Sequence, residues 1–268
     1  MPTVKINKTR MYYEILGEGE SVVLISGLGG DYTVWDDLLP KFTKSYRCLV
    51  FDNRGVGKTD KPKEAYSIKS FAKDINNLMK TLEISTAHIV GISMGGAIAQ
   101  ELAINYPGRV GSLTLISTWP KTDNYLREIN ESWIVSVKKL DRESFWREHL
   151  LWCFTPAFFE SRKEKIDEVR ESLSKITQPV DAFVRQIKAC INHDTLGRLN
   201  VIRSSTLIIV GDEDILTPLR FSTKLHQHIR SSELVVIKGA GHSVTSEKPD
   251  EFTERALEFL KSHKLKNC

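Results

Sequence analysis

The chain has 268 residues, 41% of them hydrophobic and 27% charged, and a formal net charge of +4. This is the composition of an ordinary globular protein, large enough to bury its core without help from a disulfide or a metal. Basic and acidic residues interleave along most of its length, so it lacks the one-sided basic face of a nucleic-acid binder, and no run of about 18 apolar residues offers a membrane span.

The first residues, MPTVKINKTRMYYEIL, carry no apolar stretch before a small-residue cleavage site. No secretory leader is expected, and the expected location is cytoplasmic. Residues 4–6 and 11–15 alternate as two short strands. Residues 21–25 then form a continuous apolar run ending in Gly27-Leu28-Gly29-Gly30. A short run without alternation fits a strand covered on both faces, as in a parallel sheet. Similar runs at 48–51, 88–90, 113–116, 207–210 and 234–237 each end in a small or polar turn. Helical patterns occupy 70–82, 94–106, 219–229 and 251–262. The helix from Met94 stops at the breaker pair Pro107-Gly108. Alternating strands and helices imply an α/β fold: an eight-stranded, mostly parallel sheet with helices on both faces.

One stretch interrupts the alternation. From about Trp119 to Leu199 no strand is evident, and helical pieces fill 124–140, 142–152, 156–176 and 179–190. Residues 1–118 and 200–268 are therefore expected to form the core domain. Residues 119–199 are expected to form a helical cap inserted between two of its strands.

The four cysteines, Cys48, Cys153, Cys190 and Cys268, are scattered without Cys-x-x-Cys spacing, so neither a zinc site nor a disulfide framework is expected. Cys48 lies in an apolar strand pattern and reads as a buried small hydrophobe. The basic run at 261–266 reads as a solvated helix end.

The sharpest chemical signal is Gly91-Ile92-Ser93-Met94-Gly95-Gly96, a G-x-S-x-G motif between an apolar strand and an apolar helix. That setting is what a nucleophile elbow requires, because the glycines allow a tight turn that exposes the serine hydroxyl. A serine capping a helix is the bland alternative. Upstream, Ser26-Gly27-Leu28-Gly29-Gly30 follows a strand directly. Acyl transfer needs two fixed donors for a tetrahedral oxyanion, and the amides of Leu28 and Met94 are the candidates. The turn lacks the spacing of a dinucleotide fingerprint and no Gly-Lys-Ser/Thr follows it, so no cofactor is expected.

Further along, Gly211-Asp212-Glu213-Asp214 and Gly239-Ala240-Gly241-His242 each follow a strand. In a parallel sheet those strand ends share one edge, so Ser93, an acid of the first loop and His242 can meet. Ser93 would attack a carbonyl, His242 would take its proton, and the acid would hold the histidine tautomer. Asp212, Glu213 and Asp214 compete for that last role. The other six histidines, at 88, 149, 193, 226, 228 and 263, lie in helical patterns, in the inserted region, at the tail or at a strand start.

Together these motifs resemble the α/β-hydrolase superfamily, and within it the small esterase and lactonase branch typified by 3-oxoadipate enol-lactonases. The resemblance covers 1–118 and 200–262. Asp52-Asn53-Arg54-Gly55-Val56-Gly57-Lys58-Thr59 is similar to the family's D-x-R-G-x-G-x-S turn, and Gly241-His242 with Glu247, Pro249 and Phe252 to its histidine segment. The family's G-x-x-D pattern falls on Gly211 and Asp214, which selects Asp214 as the acid. Ser26 stands where many members carry histidine before the glycine.

The resemblance implies a metal-free carboxylesterase or lactonase acting through an acyl-enzyme on a small, partly apolar ester or lactone. Trp119, Trp152 and Phe154 are its candidate substrate contacts, though the aromatic residues of the inserted region are equally suited to pack it onto the core. A slow ligand receptor on the same fold, or a thioesterase, acyltransferase, C–C hydrolase or perhydrolase, is the alternative. The oligomeric state is left open.

Overall fold

The computed structural model describes residues 2–6 and 8–265. Lys266, the end of the basic run, and Cys268 lie outside the described residues. The chain begins β1 (Thr3–Ile6), β2 (Thr9–Leu16), β3 (Glu20–Ile25), α1 (Leu39–Phe42) and β4 (Tyr46–Phe51). It continues α2 (Ile68–Thr81), β5 (Ala87–Ile92), α3 (Met94–Asn105) and β6 (Val110–Ile116). Five helices follow: α4 (Asn124–Lys139), α5 (Arg142–Leu150), α6 (Pro156–Ser161), α7 (Lys163–Lys175) and α8 (Val180–Ile191). Then come β7 (Ser205–Gly211), α9 (Leu219–His228), β8 (Ser232–Ile237), α10 (Val244–Glu247) and α11 (Pro249–Ser262). Among the described residues no helix is long and apolar enough to cross a membrane.

The eight strands form one sheet in the order β1-β2-β4-β3-β5-β6-β7-β8. β2 pairs antiparallel with β1 and β4, and every other pair is parallel. The expected architecture is present, and the strand sequences explain it. Within β3, Val23 and Ile25 enter the core shared with α2, α3 and α9, while Val22 and Leu24 enter the core shared with α1 and α11. Side chains alternate between faces, so a strand covered on both must be apolar at consecutive positions. Full burial of each such side chain contributes about 1.5–3 kcal/mol.

The helical stretch between β6 and β7 departs from expectation at one point. The single helix expected over 156–176 is two, α6 and α7, broken at Arg162 (φ −138°, ψ 39°). No glycine or proline marks the break. Tertiary contacts set it: α6 is pinned to the core through its N-cap Thr155, which bonds to Glu247, whereas α7 runs along a cavity. The four-residue helices α1 and α10 were not expected, being too short for a periodicity to register.

Candidate active site

Because β3, β5, β7 and β8 run parallel, the turns after them open on one edge of the sheet. Those turns hold Gly27 to Gly30, Ser93, Asp214 and His242.

Ser93 sits between β5 and α3 with φ 55° and ψ −118°, a left-handed conformation unusual for a residue with a Cβ. The surroundings hold it there. Its amide donates to the Ile116 carbonyl (2.8 Å), and its carbonyl accepts from the Thr118 hydroxyl (2.8 Å) and the Gly96 amide (2.9 Å). The turn also demands glycine nearby. A Cβ on Gly95 would lie 2.1 Å from the Ile25 carbonyl oxygen, because α3 starts directly against β3. Gly95→Ala is therefore expected to lower stability by roughly 2–4 kcal/mol, read as a fall in the denaturation midpoint. An unchanged midpoint would show that the turn relaxes freely.

The three expected residues meet. His242 Nε2 lies 2.9 Å from Ser93 Oγ, and Nδ1 lies 3.0 Å from Asp214 Oδ2. With the proton of Nδ1 donated to the carboxylate, Nε2 is free to accept from the serine hydroxyl. Asp214 is buried, and its other contacts fix it: Oδ1 accepts from the amides of Leu216 (2.9 Å) and Thr217 (2.8 Å), and Oδ2 from the Thr217 hydroxyl (2.8 Å). Burial alone would raise its pKa, but the charge and hydrogen bond of His242 and the two bonds from Thr217 outweigh it and hold the carboxyl below the usual range. The competing Asp212 is exposed and accepts instead from the Gly239 amide (2.7 Å), tying two turns together.

Glu247 steadies the histidine turn from below. Its carboxylate accepts from the Gly241 amide (2.9 Å) and from the Thr155 hydroxyl (2.6 Å). It thereby joins the turn to α6.

The early turn lies against the serine: a Cβ on Gly27 would stand 3.3 Å from Ser93 Cβ. Among the described residues, the amides of Leu28 and Met94 have no acceptor within the protein, whereas Gly29 donates to Gln186 of α8 (3.2 Å). Ser26, in place of the family's histidine, accepts from the Trp35 indole (3.1 Å) and donates to the Asp31 carbonyl (2.9 Å), which pins the turn without an imidazole. Asp52 holds the neighbouring turn by accepting from the Tyr32 and Lys58 amides, and burial pushes its carboxyl up to about 6.

Above Ser93 and His242 lies a cavity of about 360 Å³. Trp119 and Phe154 line it, beside Leu28, Trp133, Trp146 and His149. Trp152 does not line it, which corrects the expectation for that residue. The wall that α5 and its closing turn present to the cavity is made by Trp146, His149, Leu150 and Cys153. At about 100° per residue Trp152 falls well off that face, and it packs on the hydrophobic core instead. Cys153 and Cys190 also line the cavity, and burial raises both thiols far above their ordinary value, so they are inert. Cys48 is fully buried with its thiol pushed up to about 12, as its strand position implies.

In the sequence His149 does not stand out from the other histidine of the inserted region. Its one legible signal was periodicity: it falls on the same apolar face as Trp146, Leu150 and Cys153.

The site's setting agrees with known proteins. The profile of a family described as alpha/beta hydrolase fold matches residues 20–249. A protein of Azorhizobium caulinodans described as putative carbamate hydrolase RutD is 26% identical, over 97% of this chain and 98% of that one. The structure of an enol-lactonase from Burkholderia xenovorans LB400 superposes with a TM-score of 0.91 at 25% identity, covering 97% and 100% of the two chains. An esterase from Exiguobacterium antarcticum gives 0.86 at 25% identity, covering 94% and 96%.

Proposed function

The chain belongs to the alpha/beta hydrolase family, and from that premise we propose that it is a carboxylic ester hydrolase acting through an acyl-enzyme on Ser93. The observation that carries this reading is the hydrogen-bonded series Ser93–His242–Asp214 on the wall of a cavity that Trp119, Trp133, Trp146 and Phe154 also line.

In this reading Ser93 Oγ attacks the carbonyl of an ester or lactone while His242 Nε2 takes the hydroxyl proton. The tetrahedral oxyanion is held by the free amides of Leu28 and Met94, the second also at the positive end of α3. Collapse expels the alkoxide, which receives the proton from Nε2. Water then attacks the acyl-enzyme with His242 as base, and the acid leaves. Residues 119–199 serve as a cap over the core formed by 1–118 and 200–268. Among the described residues, three buried free thiols fit a reducing compartment such as the cytoplasm.

Two of the similar proteins are described as an enol-lactonase and an esterase, and a third as a putative carbamate hydrolase. A carbamate as small as carbamic acid would leave most of a cavity of about 360 Å³ unfilled, so an ester or lactone with a sizeable apolar part is favoured.

A fluorophosphonate probe, with the adduct located by mass spectrometry and a panel of esters and lactones assayed alongside, tests the reading. Labelling at Ser93 with rapid turnover is expected. Labelling without turnover would favour a ligand receptor; no labelling would sink the nucleophile assignment.

Asp214 keeps its charge on mild acidification. A carboxyl held below its usual range stays ionised through the mildly acidic region.

A further inference from the structure

The two ends of the cavity differ in chemistry. At its mouth stand Asp36, Asp37 and Glu168, with one cation, Lys165. That ammonium is already shared, 2.9 Å from Asp37 and 3.3 Å from Glu168. Three carboxylates against one ammonium leave the mouth net negative. Among the described residues no other lysine or arginine lines the cavity.

Inside, His149 is held among aromatic rings, with centroids 4.1 Å from Trp133, 5.0 Å from Trp146 and 5.6 Å from Phe145. Burial drives its pKa down to about 3, and the nearby charge of His242 acts in the same direction. The ring is therefore neutral at neutral pH, with one N–H and one bare nitrogen. Nδ1 is enclosed without a hydrogen-bond partner, and so is the indole N–H of adjoining Trp133. Nε2 has no partner among the described residues either, but it is not enclosed, so it is the nitrogen that opens on the cavity. A proton on Nε2 leaves bare Nδ1 on the ring that adjoins the Trp133 donor and presents an N–H to whatever occupies the cavity. An unpartnered buried imidazole is costly, and a phenyl ring would fill the same aromatic cage without that cost. An oxygen from a bound molecule removes it.

We infer that the cavity selects an uncharged ester or lactone bearing a neutral oxygen on its acyl side, and that Nε2–H of His149 donates to that oxygen. The inference rests on the acyl-transfer reading above for its orientation. In an ester the acyl group must stay bound while the alcohol leaves and water enters, so it occupies the inner end and the alcohol faces the mouth; in a lactone the freed hydroxyl stays tethered and turns towards the mouth. An anionic acyl group is opposed twice, by the carboxylates at the mouth and by burial without a counter-charge.

Three p-nitrophenyl esters of equal acyl length test this: the pentanoate, the 4-oxopentanoate and the hydrogen glutarate. The keto ester should exceed the pentanoate in kcat/KM by about tenfold, the effect of one hydrogen bond in a dry site. The anionic glutarate should fall about a hundredfold below both. His149→Phe should bring the keto-to-alkyl ratio to about one, and His149→Gln, which keeps a donor, should restore part of it. Calorimetric binding of the same esters to Ser93→Ala should give the same order without turnover. A preference for the glutarate, or a keto advantage that survives His149→Phe, would overturn the inference. Turnover by the wild type with the order reversed would overturn it and leave the hydrolase standing. Binding in the expected order with no turnover would support it and overturn the hydrolase.

Discussion

Ser93→Ala should lower kcat for ester hydrolysis by about 10⁵-fold, the largest loss expected from any single change in this protein. Such a loss corresponds to about 7 kcal/mol of transition-state stabilisation. The reason is geometric. Oγ is the atom 2.9 Å from His242 Nε2, and once it is gone the imidazole has no hydroxyl to activate. What remains is the pair of free amides at Leu28 and Met94 and the cavity, which still bind a carbonyl and let water react slowly. The fold should survive, because alanine keeps the Cβ and the left-handed backbone already imposed by the bonds to Ile116 and Thr118. Steady-state kinetics with thermal denaturation alongside measure both. Activity within tenfold of wild type, with an unchanged melting point, would remove Ser93 from the mechanism. A collapsed melting point would mean that the hydroxyl also holds the elbow together.

The sheet and the elbow were legible in the sequence because both rest on local demands. A strand covered on two faces must be apolar at Val22, Val23, Leu24 and Ile25 in succession, and few other settings permit that. An elbow pressed against β3 must have glycine at position 95, where a Cβ would collide with the Ile25 carbonyl. Asp214 was harder. Three acids share its loop, and what separates them is which one faces the His242 turn across the sheet edge. The family pattern supplied that choice; composition and spacing within the chain did not.

The cavity wall was largely illegible, for a different reason. Whether an aromatic residue of the inserted helices lines the cavity or packs behind it depends on helix rotation, and a displacement of one residue reverses the answer. Phe154 lines the cavity and Trp152 does not, though both read alike in the sequence. Gln186 shows the same limit. On α8 it reads as an ordinary polar residue, yet its amide joins two turns of the core, accepting from Gly29 and donating to the Arg54 carbonyl (2.9 Å). His149 is the extreme case. A histidine among Trp133, Trp146 and Phe145 reads as packing until the missing partners of its ring nitrogens are seen.

The second large effect is expected at Asp214. Asp214→Asn should reduce kcat by about 10⁴-fold while leaving the fold nearly untouched. The side-chain oxygen of asparagine can keep the two bonds that Oδ1 accepts from the Leu216 and Thr217 amides. Its NH₂ group then takes the place of Oδ2, 3.0 Å from His242 Nδ1. An NH₂ group donates and cannot accept from Nδ1, which is left with only the Thr217 hydroxyl 3.1 Å away, so the tautomer with its proton on Nε2 gains ground. A protonated Nε2 cannot accept from Ser93, and the imidazolium formed during attack loses its counter-charge. The defect is one of tautomer and charge, not of position. Asp212→Asn provides the contrast, since that side chain is exposed and, among the described residues, accepts only from the Gly239 amide, from which an asparagine oxygen can also accept. Its loss should stay below about tenfold. Parallel kinetics on the two variants decide between the acids. If Asp212→Asn proves the more damaging, the carboxylate that bonds His242 in the structure is not the one that supports it in the transition state.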